Sequence, residues 1–473
     1  MYTEIRIDGE NVDLGDRPKV TIDLQNPHLS YESIPNSKAS IPNIPFSPRN
    51  QRIFLYAEMP QGGNDLFSYD CESIYNGALV YHGKAYVKNA NPVSGYQLEA
   101  GDDLGRFFGI YQDTLLSELD LGSVLLPSIL TPEVAVSGKP ALCFPTILNP
   151  DFYSTNGELV NYSGRVNAYE SGYTTTGPIV PALFVNYLLK QIAALTGITL
   201  SGSFLSHPTW SKLILTNWRA LDGETTVLIR RHVPAWTIGN FLLELRKVPN
   251  LQLDFNSNTK SLTIDFWEKK MDIPPLRDWT LKATPGHDKY NEFKRRLQLI
   301  FDLDSGDSLM KDKPDSMGDY ITPVTGALGS EAIDFVKVNF KLSTFLVDQT
   351  TGLPIAKQTG VTEEFNQLSV STLPRLLFWH GMVSNIPTAL PELNDISLYL
   401  TGAKGIAATS WKRTEQLRKE MFYLKKGFEL NETDLALLDF SEQIHYNGLN
   451  YMVAHVSGEL PITKEFQCLL VKV

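Results

Sequence analysis

Two serine–lysine pairs have the spacing of a known nucleophile motif. Ser257 precedes Lys260 by three positions, and Ser308 precedes Lys311 by the same distance. In β-lactamases and penicillin-binding proteins, a lysine at this spacing accompanies the nucleophilic serine, together with two further short motifs. Here the first pair lies in a polar turn between predicted strands and the second in a charged loop, and the further motifs are missing. We therefore predict that neither serine is catalytic.

An acidic segment resembles part of a calcium-binding loop. Asp302, Asp304 and Asp307 follow one another at short intervals. However, Gly306 stands one position too early for the sharp turn of such a loop, and Lys313 occupies the position of the bidentate glutamate. The pattern predicts a solvated acidic loop without a metal.

The other candidates for metal or acid–base chemistry are scattered. No two of the eight histidines lie three to five residues apart, and His445 and His455 are interpreted as a structural pair across the last predicted hairpin. The paired carboxylates Asp102-Asp103 and Glu363-Glu364 are a common surface feature, and nothing links either pair across a cleft. No nucleotide-binding, zinc-protease or nucleophile-elbow motif occurs in the sequence. The sequence thus predicts no catalytic, cofactor-binding or metal-binding residues, no cofactor, and a protein that is not an enzyme.

The composition narrows the class of protein further. The 473 residues include 42 Lys and Arg against 53 Asp and Glu, a formal net charge of −11, which argues against a general binder of duplex DNA. The three cysteines are far apart, which disfavours a disulfide framework and suits assembly in a reducing cytoplasm. No basic-then-apolar N-terminus and no long apolar window occur, so we expect neither a secretory signal nor a membrane anchor.

The N-terminal part of the chain has the pattern of short β-strands. Residues 4–25 alternate between polar and apolar types on both sides of a glycine turn, and residues 78–90 predict a hairpin turning at His82-Gly83. Residues 26–50 contain five prolines and predict an irregular loop. The spacing of apolar residues over 104–119 predicts a helix.

The C-terminal part combines strands with one exposed helix. Residues 411–426 predict a helix that carries six basic residues and two glutamates, a local net charge of +4. We interpret it as a solvated face, with a nucleic-acid or acidic partner as the alternative. Residues 443–460 predict a hairpin at Asn447-Gly448, and residues 465–473 predict a terminal strand.

An internal repeat lies between these two parts. Residues 180–217 and 233–268 each open with Val-Pro-Ala, continue with an Asn-aromatic-Leu-Leu helix, and end in two strands. This order predicts a duplicated helix–strand–strand unit with helices near 181–196 and 237–248, although a chance similarity stays open. In each unit we expect a Leu pair to pack on the following strands: Leu188-Leu189 and Leu242-Leu243.

The order of these elements resembles the tail or baseplate hub proteins of tailed bacteriophages and related contractile injection machines. The similarity is spread over five stretches and the two repeat units, which resemble the middle domains of the family. It includes the approximate match in which Pro42, Pro45 and Pro48 lead through Asn50 to Ile53 and Phe54. The stretches are 4–25, 39–54, 83–108, 371–381 and 445–456.

The resemblance implies a structural protein of the virion, located at the tail tip or baseplate and assembled in the host cytoplasm. It implies a homotrimeric ring in which each chain contributes two β-barrels, so that six similar barrels meet a six-fold tube on one side and a three-fold spike on the other. The implied partners are further copies of the chain, the tail tube or distal tail protein, a spike or fibre protein, and the tape-measure protein. DNA would pass through the ring as cargo only.

Two alternatives stay open. One is another tail-tip component, such as a distal tail or fibre-attachment protein, which would form a six-fold ring. The other is a carbohydrate-binding or carbohydrate-active protein that uses exposed tryptophans, although a core position is the more common role of such residues. These tryptophans are Trp210, Trp218, Trp236 and Trp279.

The expected architecture is mainly β (α+β), with two barrel-like domains and a middle region between them. The predicted boundaries are a β-barrel-like domain over 1–130, an α+β region over 131–275 and a second β-barrel-like domain over 276–473. The long loops 26–50 and 120–177 are expected to lie on neighbouring subunits or other tail proteins, because they carry apolar residues that a solvated linker lacks. These residues are Ile41, Ile44, Phe46, Leu125, Leu126, Ile129, Leu142, Phe144 and Phe152.

Overall fold

The chain forms two compact units that are not consecutive in sequence. A computed structural model describes residues 2–16, 18–61, 67–101, 107–153, 162–174, 177–256, 259–324, 335–363 and 373–473. Unit 1 comprises Met1–Phe107, Lys269–Phe293 and Leu417–Val473, and unit 2 comprises Phe108–Glu268 and Lys294–Gln416. This division differs from the three consecutive domains drawn from the sequence, because both ends of the chain enter unit 1.

Unit 1 is built on one 13-stranded sheet, in which all neighbours are antiparallel except one pair of short strands. The main order is Glu10–Asn11, Thr3–Ile7, Tyr69–Tyr75, Ala78–Asn91, Gly95–Gly101, Lys38–Ile44, Val20–Gln25, Leu449–Leu460, Phe466–Lys472, Phe422–Phe428 and Asp288–Asn291. The strand Gln443–Tyr446 also pairs with Leu449–Leu460, and the short strand Arg277–Asp278 pairs in parallel with Gln443–Tyr446. The sheet is a half-barrel.

The two ends of the chain share this sheet and one hydrophobic core. Val20–Gln25 pairs along its whole length with the second strand of the last hairpin, from Val20 opposite Leu460 to Gln25 opposite His455. Buried residues from both ends, among them Ile22 and Leu470, belong to one cluster. The expected mainly β class is confirmed, whereas the two separate barrel domains are not, because strands from both predicted barrels form one sheet.

Two N-terminal predictions are wrong. Residues 26–50 are not irregular throughout, since Lys38–Ile44 is a strand and Pro48–Ile53 a helix. His82-Gly83 is not a turn but lies within the continuous strand Ala78–Asn91. The glycine is needed there for another reason: a Cβ at Gly83 would lie 2.1 Å from the Gly101 carbonyl oxygen of the neighbouring strand.

The C-terminal hairpin is confirmed. Asn447 and Gly448 have φ angles of 47° and 83°, the left-handed backbone that this two-residue turn requires. Phe466–Lys472 is the predicted terminal strand.

Unit 2 contains several smaller sheets. The six-stranded sheet has the order Ile386–Leu390, Arg375–Val383, Leu213–Thr216, Ala182–Phe184, Lys139–Cys143 and Glu133–Val136, and the four-stranded sheet has the order Arg165–Val166, Ile147–Leu148, Pro354–Ile355 and Leu346–Val347. Two sheets have three strands: one is Thr199–Ser201, Ser261–Phe266 and Leu251–Asn256, and the other is Tyr320–Ile321, Arg296–Phe301 and Phe335–Phe340. Two sheets have two strands: Thr226–Leu228 with Ser123–Leu125, and Glu392–Leu393 with Ile396–Ser397.

The helices are short. They are Pro48–Ile53, Val185–Thr196, Ser203–Ser206, Ile238–Lys247, Trp267–Met271, Ile406–Thr409, Lys412–Glu420 and Glu432–Ala436. Among the described residues, no helix is long and apolar enough to cross a membrane. Within 107–119, the described part of the predicted helix 104–119, only the 3₁₀ turn Gly109–Tyr111 forms.

Both repeat helices form, at Val185–Thr196 and Ile238–Lys247. Leu188, Leu189 and Leu242 are buried, and Leu243 is half-buried. The units that follow are not equivalent, so the duplication is not confirmed.

The difference lies in how the strands pair. In the second unit Leu251–Asn256 and Ser261–Phe266 form a hairpin. In the first, Thr199–Ser201 joins that hairpin in parallel while Leu213–Thr216 enters the six-stranded sheet. The similar sequence therefore serves two different packing roles.

Candidate interaction site

The acidic loop of residues 302–313 is held by a buried network in unit 2. Asp304 is buried and accepts hydrogen bonds from the Gly306 and Leu373 backbone N–H groups at 3.0 and 3.1 Å. The side-chain amide of Gln358 donates to the same carboxylate at 2.6 Å. Three donors thus share the two oxygens of this buried carboxylate.

Asp307 is held in the same way, with a cation added. Its Oδ1 accepts from the Leu309 and Lys357 backbone N–H groups, each at 3.0 Å. Its Oδ2 lies 2.7 Å from Nη2 of Arg375, and the side chains of Arg375 and Asp307 are 1% and 0% exposed. The guanidinium also lies over the ring of Phe345, 4.9 Å from its centroid.

The absence of a metal at this loop stays a prediction. The prediction that its carboxylates are solvated is wrong for two of the three. Asp302 is exposed, whereas Asp304 and Asp307 are buried. The difference arises because partners distant in sequence compensate the buried groups: Arg375 supplies a charge to Asp307, and Gln358 and the Leu373 N–H donate to Asp304. Within the described ranges, no group of three or more His, Cys, Asp or Glu side chains could hold a metal ion.

The other chemical candidates are dispersed. His445 Nδ1 lies 3.0 Å from Asn450 Oδ1, whereas His455 Nε2 lies 3.0 Å from Asp23 Oδ1, so the two histidines have separate partners. Ser308 and Lys311 lie in turns of the acidic loop. Ser257, Asp102-Asp103 and Glu364 lie outside the described residues.

The tryptophans do not form an exposed carbohydrate platform. Trp210, Trp218 and Trp279 are buried, and Trp236 is half-buried. Trp210 packs edge-on against Phe378 in unit 2, and Trp279 packs on Phe428 in unit 1. A sugar ring requires an accessible aromatic face, so the carbohydrate alternative loses the residues on which it depended.

The proline-rich stretch 39–54 forms an ordered corner of unit 1. The side chain of Ser47 accepts a hydrogen bond from the Asn50 N–H and caps the helix Pro48–Ile53. Asn50 is fully buried, and its Nδ2 donates to the carbonyl oxygens of Asp13 and Pro45, both at 2.8 Å. Its Oδ1 accepts from the Asp13 N–H at 2.9 Å, so one side chain joins the helix to the backbone at Asp13 and at Pro45.

The exposed face of this corner carries paired charges beside a sheet edge. Arg6, Glu10, Asn11, Arg49 and Arg52 line a cleft of about 430 Å³. Arg49 pairs with Asp13 and Arg52 with Glu10, and all four side chains are more than one-third exposed. Exposed pairs of this kind contribute little to stability, so these charges can exchange partners.

The opposite edge of the sheet is the strand Asp288–Asn291. All four residues are exposed, and among the described strands it pairs only with Phe422–Phe428. An unpaired strand edge presents N–H and C=O groups that can pair with another chain. No periodic pattern predicts this strand, because it is a short polar segment without alternation.

The exposed helix that the sequence predicts over 411–426 is shorter in the structure. It ends at Glu420, and Lys425 and Lys426 belong to the strand Phe422–Phe428. Lys426 is buried, so the stripe of six basic residues does not form one solvated helical face.

The apolar residues of the two long loops fall into three groups by their burial. Phe46 and Leu126 are partly buried, while Leu125 and Ile129 are 74% and 82% exposed. The remaining residues are buried within the chain itself: Ile41, Ile44, Leu142, Phe144 and Phe152. For that group, packing within the chain already accounts for the apolar character.

No protein-family model matches the sequence, and no curated protein matches it. The structure is similar to three solved tail proteins. The 43 kDa tail protein of prophage MuSo2 from Shewanella oneidensis has 7% identity and a TM-score of 0.42, with 100% of this chain and 97% of that chain covered. The tail protein from Neisseria meningitidis MC58 has 11% identity and a TM-score of 0.40, with 99% and 95% covered.

The third structure is the prophage tail protein gp18 from Listeria monocytogenes EGD-e. It has 6% identity and a TM-score of 0.41, with 99% of this chain and 94% of that chain covered. These solved structures are tail proteins, and TM-scores of this size describe a coarse likeness that assigns no role to any residue.

Proposed function

We propose that the chain is a structural component of a phage tail, and more specifically the hub that forms a trimeric ring at the tail tip or baseplate. In this role it joins the tail tube or distal tail protein to the spike or fibre protein, contacts the tape-measure protein, and lets DNA pass. It acts as part of the virion, carries no enzymatic activity of its own, and needs no cofactor.

The observation that carries the proposal is the convergence of the hub-like stretches in one sheet. Four of the five stretches, within 4–25, 39–54, 83–101 and 445–456, contribute to unit 1, whereas the fifth stretch and both repeat units belong to unit 2. These four come from the two ends of a long chain, and they share one core. A chance scatter of similar patches would not be expected to fold together.

The acidic composition supports the passage of DNA without retention. A net charge of −11 repels phosphate, so a channel through copies of this chain would hold DNA weakly. The alternative tail-tip components share this property, and ring symmetry distinguishes them: three copies for a hub and six for a distal tail ring.

Immunogold labelling of purified particles tests the location. With an antibody raised against the chain, gold should be confined to the tail tip, and particles from a deletion strain should lack both label and tail attachment. Label on the capsid, or complete tails without the chain, would contradict the proposal. Incubation of the pure chain with peptidoglycan tests the absence of activity, and clearing lost on mutating one acidic residue would contradict it.

A further inference from the structure

We propose that a pocket in unit 2 binds a small zwitterion, either a free α-amino acid or a short peptide with both ends free. The pocket has a volume of about 310 Å³, and its lining comes from residues 133, 208–212, 379–381 and 393–394. All of these residues belong to unit 2. The inference goes beyond the proposed tail function and does not depend on it.

The pocket forms where the six-stranded sheet of unit 2 curls until distant strands meet. Arg375–Val383 is the second strand of that sheet and Glu133–Val136 is the last. In a flat sheet, four steps of about 4.8 Å would separate these two strands by about 19 Å. Instead, Nε1 of Trp379 donates a hydrogen bond to Oε2 of Glu133 at 2.7 Å. The curl therefore brings two parts of the chain together around one concave site.

Glu133 supplies the negative charge of the pocket. Its Oε2 accepts from the Trp379 indole, and its backbone carbonyl oxygen accepts from Thr131 Oγ1 at 2.7 Å. The side chain is half-buried, and among the described residues it has no ion-pair partner. Its second carboxylate oxygen, Oε1, is therefore open to a donor that enters the pocket.

Lys212 supplies the positive charge. It ends the 3₁₀ turn Trp210–Lys212, which is anchored because the Trp210 ring packs 5.4 Å from the Phe378 ring. Lys212 is exposed and forms no ion pair within the described part of the chain, not even with Glu133, although both line the same pocket. Two opposite charges that share a pocket without pairing are both open to a ligand.

A β-bulge places His380 in the lining. The pairing with Ile386–Leu390 shifts register between Trp379 and Gly381, and Gly381 has a φ angle of 78°. Bulges of this kind redirect a side chain next to a site. His380 Nε2 lies 2.8 Å from the Glu392 carbonyl oxygen. Because a carbonyl oxygen only accepts, Nε2 carries the proton, and Nδ1 of the neutral ring is an acceptor.

A tight turn adds a further acceptor and apolar surface. Asn394 has a left-handed φ of 55°, and its Nδ2 donates to Thr209 Oγ1 at 3.0 Å. The side-chain oxygen Oδ1 of Asn394 is thus left as an acceptor at the pocket. Pro208 and Leu393 provide the apolar part of the lining, which suits an aliphatic group.

These groups select a zwitterion over other classes of ligand. The acceptors of Glu133, His380 and Asn394 match the N–H donors of an ammonium group, and Lys212 matches a carboxylate. A ligand with one charge would leave the opposite charge of the pocket unpaired. A saccharide finds no aromatic face, because Trp379 is only 3% exposed. The volume is at the lower end for ligand pockets, which suits one or two amino-acid residues.

Isothermal titration calorimetry of the full chain tests the class of ligand. L-leucine and glycyl-L-leucine represent the two sources of the zwitterion, and binding of either one supports the proposal. N-acetyl-L-leucine lacks the ammonium group and L-leucinamide lacks the carboxylate. Each should bind at least about tenfold more weakly than L-leucine, because one charge-assisted contact is lost. Failure of both zwitterions to bind, or equal binding of the one-charge analogues, would overturn the inference.

Two variants locate the site. Lys212→Met should weaken zwitterion binding at least about tenfold and remove the preference for leucine over leucinamide. Glu133→Gln keeps an acceptor for the Trp379 indole and should remove the preference for leucine over N-acetyl-leucine. A general structural effect would not change these two preferences separately. Lys212 is exposed, so the melting curve of its variant should match the wild type.

The matched controls are Lys311→Met and Glu118→Gln. Both residues are exposed positions of unit 2 outside the pocket, so these variants should bind like the wild type. Unchanged binding in Lys212→Met, or equal losses in the controls, would contradict the site. Either result would leave the tail function standing, since that function is tested on particles.

Discussion

Replacing Arg375 with methionine should destabilise unit 2 far more than replacing any exposed cation. Arg375 and Asp307 are both almost fully buried, and Nη2 lies 2.7 Å from Oδ2. Methionine fills a similar volume but leaves the Asp307 carboxylate buried without its counter-charge. Breaking a buried pair from one side costs about 3–5 kcal/mol.

The remaining contacts of Asp307 show where this cost arises. Two backbone N–H groups still donate to Oδ1 in the variant, so only the charge on Oδ2 loses its partner. Asp307→Asn keeps an acceptor for those two donors and removes the charge. The double variant Arg375→Met/Asp307→Asn should therefore recover at least about 1 kcal/mol relative to the sum of the single variants.

Urea unfolding followed by tryptophan fluorescence measures these effects. The matched control is Lys404→Met, which removes one partner of the pair with Glu392, where the side chains are 47% and 49% exposed. Its effect on the free energy of unfolding should be too small to resolve, because the pair is exposed to solvent. The reasoning would be refuted if Arg375→Met cost no more than Lys404→Met, or if the double variant were the sum of the single ones.

Three further perturbations test the remaining structural arguments. Asn50→Ala removes three hydrogen bonds from the corner of unit 1 and should cost about 3 kcal/mol in urea unfolding, whereas exposed Asn89→Ala should change stability by less than about 0.5 kcal/mol; equal effects would contradict the role of Asn50. Burial lowers the pKa of His232 to about 3, so as the pH falls the unfolded chain binds a proton here before the folded chain does. The free energy of unfolding should therefore fall by about 2 kcal/mol between the plateau above pH 6.5 and pH 5. The His232→Asn variant should lose this part of the pH dependence, and an unchanged profile would contradict the argument. Gly458→Ala should cost about 1–3 kcal/mol because its Cβ would lie 2.3 Å from the Phe466 ring, whereas Gly239→Ala meets nothing within 4 Å and should be neutral or stabilising in thermal melts; the reverse order would contradict the packing described.

Local sequence patterns predicted the elements whose partners are close in the chain. The Asn447-Gly448 hairpin and the two helices Val185–Thr196 and Ile238–Lys247 formed as expected, because turn chemistry and helical periodicity act over a few residues. His82-Gly83 was misread because a glycine required by a neighbouring strand gives the same letters as a glycine in a turn. The residues around His82-Gly83 do not indicate which strand will lie beside them.

Long-range pairing could not be predicted for the same reason. Nothing in residues 20–25 specifies the partner strand that ends at Leu460, so one shared sheet was read as two barrels. The acidic loop was read as solvated because Arg375 lies far along the chain from Asp307. The edge strand Asp288–Asn291 has no periodicity at all, and only its place at the end of the sheet distinguishes it from a loop.

Cryo-electron microscopy of the intact tail tests the central claim most directly. The account predicts three copies of this chain in a closed ring at the tail tip, with a channel through the centre. A ring of six copies, a single copy on the tail surface, or a tail tip built without this chain would contradict it.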